Sequence, residues 1–130
     1  MELEVGMEFS QNDKVVFEKT AASIGSGAME VFSTPHMIAL MEKACFYGVA
    51  PFLSDEQSTV GTLVNIKHLS ATPVGMVVEA KAKLTEIDGK RLVFEVFAHD
   101  SKGIIGKGVH ERFIIDAKKF MDKVNSKLEG

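Results

Sequence analysis

The stretch "STPHMIALMEKACFYGVAPF", residues 33–52, is apolar on most of its sides and predicts one long buried helix. Ser33 or Thr34 can cap its first turn. Pro35 suits the first helical position, and Pro51 ends the run. A helix that is apolar nearly all round has to be covered nearly all round, and a curved sheet wrapped around it would provide that cover.

The segments around this helix predict strands and one further helix. Strands are expected at residues 14–20, 60–69, 76–87, 91–100 and 104–115, a mobile loop at 21–30, and an amphipathic helix at 117–128. Asp88-Gly89 is a hairpin signal, and the last three strands are expected to form a meander. This order predicts an α+β hot-dog fold, in which a curved antiparallel sheet wraps around one long central helix.

Composition limits the function classes. The chain has 130 residues, 45% of them hydrophobic and 25% charged, which predicts a single domain over residues 1–130. A net charge of -3 leaves no basic surface for nucleic acid. The start "MELEVGMEF" does not resemble a secretory leader, and no apolar stretch approaches the length of a membrane span, so a cytoplasmic protein without a membrane contact is expected.

Neither a cofactor nor a metal is expected. Cys45 is the single cysteine, and the histidines do not combine with it in a zinc-site spacing. One sheet of this size cannot cover the whole helix, so a second copy of the chain is expected to supply the rest, which predicts a homodimer.

Glu42 is the one carboxylate in the apolar helix. Its neighbours within about 60° on the helix are Ile38, Cys45, Phe46 and Val49. Desolvation raises the pKa of such a carboxylate toward neutrality, which would make Glu42 a usable general base. The alternative is a glutamate at the rim of the core, or one neutralised by a buried partner.

His68 ends a predicted strand, and alternation directs it toward the core. The even-numbered face of that strand reads Val60, Thr62, Val64, Ile66, His68. With a buried glutamate expected nearby, a functional imidazole and a structural histidine are both consistent with this position.

Three further residues have simple structural explanations. A purely structural role as a helix cap would explain Thr34. Gly61 can mark a bulge in its strand, and Arg112 can be a solvated residue beside Glu111.

Four segments together carry a family resemblance. The segments "VFSTPHMIALMEKAC", "VGTLVNIKHLSATPVG", "DGKRLVFEV" and "AHDSKGIIGKGVHER" resemble, in order and spacing, the fluoroacetyl-CoA thioesterase-like family of hot-dog proteins. The resemblance implies an acyl-CoA thioesterase whose catalytic residues are Thr34, Glu42 and His68. It also implies that Gly61 and Arg112 contact the substrate.

The chain departs from the family pattern ahead of the helix. A lid with aromatic residues is typical of the fluoroacetate-specific member, whereas Gly25 and Ala28 occupy the matching positions here. We therefore expect thioester chemistry without specificity for fluoroacetate. A non-catalytic acyl-CoA binding or sensing protein is the main alternative, and a hot-dog hydratase or dehydratase is a second.

The predicted catalytic set contains a geometric conflict. Eight residues of helix rise about 12 Å, so Thr34 and Glu42 cannot touch along one straight helix. Either Thr34 of one chain meets Glu42 of a second chain at a subunit interface, or the substrate bridges the gap.

Overall fold

The long apolar helix is the centre of the computed structural model, which describes residues 2–129. The α-helices are Ala21–Ile24 (α1), Thr34–Val49 (α2) and Ala117–Asn125 (α3), and the strands are Glu8–Lys14 (β1), Gln57–His68 (β2), Val77–Asp88 (β3), Arg91–Asp100 (β4) and Gly103–Asp116 (β5). Single 3-10 turns occupy Phe17–Lys19, Ala50–Phe52 and Ser126–Glu129. The two end residues of the predicted domain lie outside the described range.

Helix α2 begins and ends where its sequence predicts. The Ser33 hydroxyl accepts a hydrogen bond from the backbone N–H of His36 at 3.1 Å, so Ser33 is the cap. Pro35 lies in the first turn, and the helix passes into a 3-10 turn that contains Pro51. The buried side chains of α2 are Met37, Leu40, Met41, Ala44, Cys45 and Val49.

The five strands form one antiparallel sheet in the order β1-β3-β4-β5-β2. The predicted meander of β3, β4 and β5 is confirmed, and Gly89 in the first hairpin turn has a φ of 61° that favours glycine. The predicted alternation of β3 is confirmed by its buried face of Val78, Ala80, Ala82 and Leu84. Strand β2 is an edge strand, paired on one side only, by β5.

The first strand was predicted in the wrong place. The strand is Glu8–Lys14, which pairs with β3, whereas the segment predicted as a strand contains a 3-10 turn at Phe17–Lys19. An edge strand of polar sequence is stabilised by backbone pairing rather than by apolar content, so residue type favoured the wrong segment.

The segment predicted as a loop contains helix α1, which is capped by the Thr20 hydroxyl. The amphipathic tail helix is confirmed as α3, which begins after the cap residue Asp116. No helix within residues 2–129 has the length and apolar character needed to cross a membrane.

Candidate active site

Thr34 and His68 meet where α2 begins and β2 ends. The Thr34 Oγ1 lies 2.6 Å from His68 Nδ1. Because Ser33 caps the helix, the Thr34 hydroxyl is not engaged as the cap, and the simple structural explanation of Thr34 is wrong. We call these two residues the Thr34 pair.

The imidazole of the Thr34 pair is partly buried. Burial lowers the pKa of His68 below the ordinary histidine value, so the neutral ring is favoured at neutral pH. The Nε2 atom of His68 is buried and has no hydrogen-bond partner within residues 2–129. A cleft of about 380 Å³ lies beside the pair, and its walls include Phe32 and Ser70.

Glu42 lies two helical turns away from the Thr34 pair, about 12 Å along the axis of α2. The nearest imidazole to its carboxylate is therefore not the predicted His68 but His110, whose Nε2 is 3.9 Å from Glu42 Oε2. The Nη1 of Arg112 lies 3.7 Å from the same oxygen. We call Glu42, Gly61, His110 and Arg112 the Glu42 cluster.

The expected burial of Glu42 is wrong for the single chain, because 39% of its side chain is exposed. Glu42 lies at the side of α2 that faces the edge strand β2. Val64 pairs with His110 in the sheet and lines a small gap with Glu42, yet it is 46% exposed. The chain's own residues therefore do not cover this side of the helix.

Arg112 is buried, so its interpretation as a solvated residue is wrong. It is 7% exposed, and its Nε and Nη2 donate to the hydroxyl and carbonyl oxygens of Thr59 at 2.8 and 2.9 Å. The guanidinium also lies over the ring of Phe46, 5.7 Å from its centroid. Burial lowers the pKa of Arg112, and the nearby charge of Glu42 partly offsets this.

Gly61 marks a bulge, as its structural explanation predicted, and it also lines the Glu42 cluster. A Cβ at this position would lie 3.0 Å from Glu42 Oε2 and 3.1 Å from His110 Cε1. The irregularity between Gly61 and Leu63 shifts the register of β2. The prediction of which residues face inward is therefore wrong for the part of β2 that precedes Gly61. There Thr59 is buried in place of Val60.

His110 was missed by the sequence interpretation. It is 1% exposed, and its Nδ1 lies 2.8 Å from the carbonyl oxygen of Leu63. Burial lowers the pKa of His110, which keeps the ring neutral. Its position two residues before Arg112 on one strand places both side chains on the same face, and this spacing could have revealed it.

Cys45 packs beside the Glu42 cluster. Burial raises the pKa of the Cys45 thiol to about 12, so this side chain is neutral and unreactive at physiological pH. It behaves as the small buried hydrophobe that a free cysteine commonly is.

The family model and the curated relative that match this chain both describe fluoroacetyl-CoA thioesterases. The family model described as fluoroacetyl-CoA-specific thioesterase matches residues 15–118. The fluoroacetyl-CoA thioesterase of Streptantibioticus cattleyicolor is 43% identical over 98 residues, which cover 75% of this chain and 70% of the relative.

Solved structures agree with this match. The crystal structure of a variant of the fluoroacetyl-CoA-specific thioesterase FlK, in complex with fluoroacetate and CoA, superimposes with a TM-score of 0.87 at 37% identity, covering 91% of this chain and 99% of that one. A thioesterase-superfamily member from Thermus thermophilus superimposes with a TM-score of 0.86 at 26% identity, covering 97% of this chain and 96% of that one. The predicted hot-dog fold is confirmed.

Proposed function

Because this chain belongs to the fluoroacetyl-CoA-specific thioesterase family, we propose that it is an acyl-CoA thioesterase that hydrolyses small acyl-CoA thioesters to the free acid and CoA. In this proposal Thr34, Glu42 and His68 are the catalytic residues. Gly61 and Arg112 contact the substrate.

The observation that carries the proposal is the 2.6 Å contact between Thr34 Oγ1 and His68 Nδ1 beside an open cleft. A neutral imidazole at this distance accepts the hydroxyl proton as Thr34 Oγ attacks the thioester carbonyl carbon. The carbon–sulfur bond then breaks, and the proton passes from His68 to the departing CoA sulfur. The acyl group is left as an ester on Thr34.

Glu42 has the chemistry needed for the second half of the reaction. Its carboxylate is partly exposed and accepts no hydrogen bond from residues 2–129, Arg112 Nη1 being 3.7 Å away, so an oxygen is free to accept a proton. A water molecule that gives its proton to Glu42 attacks the ester on Thr34 and releases the acid. The Thr34 hydroxyl is regenerated by the proton that Glu42 accepted.

The distance between the Thr34 pair and Glu42 supports a site shared by two chains. In this arrangement the Thr34 pair of one chain faces Glu42 of its partner in a homodimer. The outer side of strand β2 has no partner strand within residues 2–129, and its residue Val64 and the neighbouring Glu42 are partly uncovered, so a second copy has both backbone and apolar surface to bind.

The acyl group is expected to differ from fluoroacetyl. Gly25 ends α1 in a left-handed conformation, and neither it nor Ala28 supplies an aromatic ring to close over the substrate. CoA thioesters are made and used inside cells, so the proposal also assigns the protein to the cytoplasm.

Release of free thiol from short, branched and aromatic acyl-CoA substrates tests the proposal. The wild-type chain is expected to release thiol steadily from at least one of them. Glu42→Gln is expected to lower kcat by about 10²- to 10⁴-fold while acyl-CoA still binds, because the amide keeps the size of the side chain but cannot accept the proton.

Two outcomes would contradict the proposal. Binding of acyl-CoA without thiol release from any substrate would favour the acyl-CoA binding or sensing protein. Hydration of an enoyl-CoA without thiol release would favour a hydratase.

A further inference from the structure

The two ring nitrogens of His110 have different and determined roles. The carbonyl oxygen of Leu63, 2.8 Å from Nδ1, can only accept a hydrogen bond, so Nδ1 carries the proton. The Nη1 of Arg112, 3.1 Å from Nε2, can only donate, so Nε2 is the acceptor. His110 is therefore a neutral ring that joins the backbone of β2 to the guanidinium.

This contact completes the anchoring of Arg112. Its Nε and Nη2 bind the two oxygens of Thr59, and its Nη1 binds His110. All three guanidinium nitrogens thus have fixed partners in the sheet. The distance of 3.7 Å from Nη1 to Glu42 Oε2 is longer than the roughly 3.2 Å limit of an N–H···O hydrogen bond.

We propose that His110 is a positioning residue, which holds the Arg112 guanidinium close to Glu42 without letting it bind the carboxylate directly. The inference rests on the proposed role of Glu42 as proton acceptor. Without the acceptor at Nε2, the N–H that Nη1 directed at His110 has no partner, and the partly exposed Glu42 carboxylate can move onto Nη1 and form a charge-assisted hydrogen bond. A carboxylate held in this way accepts a proton from water less readily, so turnover falls while the substrate still binds.

Two substitutions separate the contacts of His110. In His110→Asn the amide nitrogen can replace Nδ1 and donate to Leu63, but nothing replaces Nε2. In His110→Gln the longer side chain can place its oxygen near the Nε2 position and accept from Arg112, whereas the bond to Leu63 is lost. The two variants therefore keep opposite halves of the same network.

The test measures kcat and KM for both variants on the best acyl-CoA substrate, with thermal unfolding to confirm that each is folded. We expect His110→Asn to lower kcat by on the order of 10- to 100-fold with KM within about twofold, and His110→Gln to recover most of that loss. His99→Asn, which alters a histidine hydrogen-bonded to Glu79 on neighbouring strands, is the control and should leave both constants unchanged.

An unchanged kcat in His110→Asn, or an equal loss in both variants, would overturn the inference. If the wild-type chain hydrolyses no acyl-CoA, the proposed function fails, and nitrogen NMR of the His110 ring tests separately whether Nε2 accepts the hydrogen bond from Arg112. The expected spectrum is that of a neutral ring protonated at Nδ1. A proton on Nε2 would overturn the inference, because that nitrogen could not accept from Arg112.

Discussion

The Thr34 pair and the Glu42 cluster are assembled in different ways. The Thr34 pair is made by the first residue of a helix and the last residue of a strand, beside an open cleft. The Glu42 cluster is made in the middle of α2, β2 and β5, around a buried guanidinium with fixed partners. Groups at the ends of elements border the open cleft, whereas groups in the middle of a helix or sheet are held by several fixed partners and keep a defined position.

The largest effect is expected when the Thr34 pair is broken. Thr34→Ala and His68→Ala should each lower kcat by about 10²- to 10⁴-fold, because the hydroxyl and its proton acceptor act as one unit. For the same reason the double variant should be little slower than either single one. Steady-state rates of thiol release measure this.

Independent effects of the two substitutions would contradict the pairing. If the double variant lost the product of the two single losses, Thr34 and His68 would act in separate steps.

A smaller effect is expected when the Glu42 cluster is crowded. Gly61→Ala places a Cβ 3.0 Å from Glu42 Oε2, so the carboxylate has to move by a few tenths of an ångström. If Glu42 is the proton acceptor that we propose, displacement of its carboxylate on this scale should lower kcat by about tenfold. The neighbouring Thr62→Ala, which removes a hydroxyl that donates to the carbonyl of Glu111, is the control and should not change kcat.

Equal rates for Gly61→Ala and the wild-type chain would show that the position of the Glu42 carboxylate is not critical. The Thr34 pair would then be the only part of the site that needs defined geometry.

The smallest effect is a pH dependence of stability. Burial lowers the pKa of both His110 and His68 in the folded chain, so below about pH 6.5 the unfolded chain binds more protons than the folded one. The contribution of these two histidines to the free energy of unfolding is fully present above that pH. It falls as the pH drops toward their lowered pKa values. Each histidine contributes up to about one proton to the slope of the unfolding free energy against pH.

Urea unfolding at pH 7.5 and pH 5 measures this dependence. His110→Asn should reduce the difference in unfolding free energy between the two pH values, because it removes one of the two histidines. A difference as large as in the wild-type chain would mean that the buried ring of His110 does not control acid stability.

Much of the fold and most residues of the candidate site could be predicted from the sequence. Ser33, Pro35 and Pro51 predicted the bounds of α2, and alternation predicted the buried face of β3, because both patterns are local. The family resemblance supplied the residues of both clusters except His110.

What sequence reasoning missed depended on contacts between distant elements. Strand β1 is polar and exists through its pairing with β3. The 39% exposure of the Glu42 side chain depends on how α2 packs against the sheet, which no local pattern encodes. His110 was overlooked although it lies on the same face of β5 as Arg112, because its function depends on the partners of that guanidinium.

In the proposed homodimer the Thr34 pair of one chain and Glu42 of its partner form one active site. Mixing Thr34→Ala and Glu42→Gln chains under conditions that exchange subunits tests it most directly, since each mixed dimer then contains one intact site. We expect recovery to about a quarter of the wild-type rate, because about half of randomly paired dimers are mixed and each of these has one of its two sites intact. No recovery, with exchange verified by mass spectrometry, would contradict it.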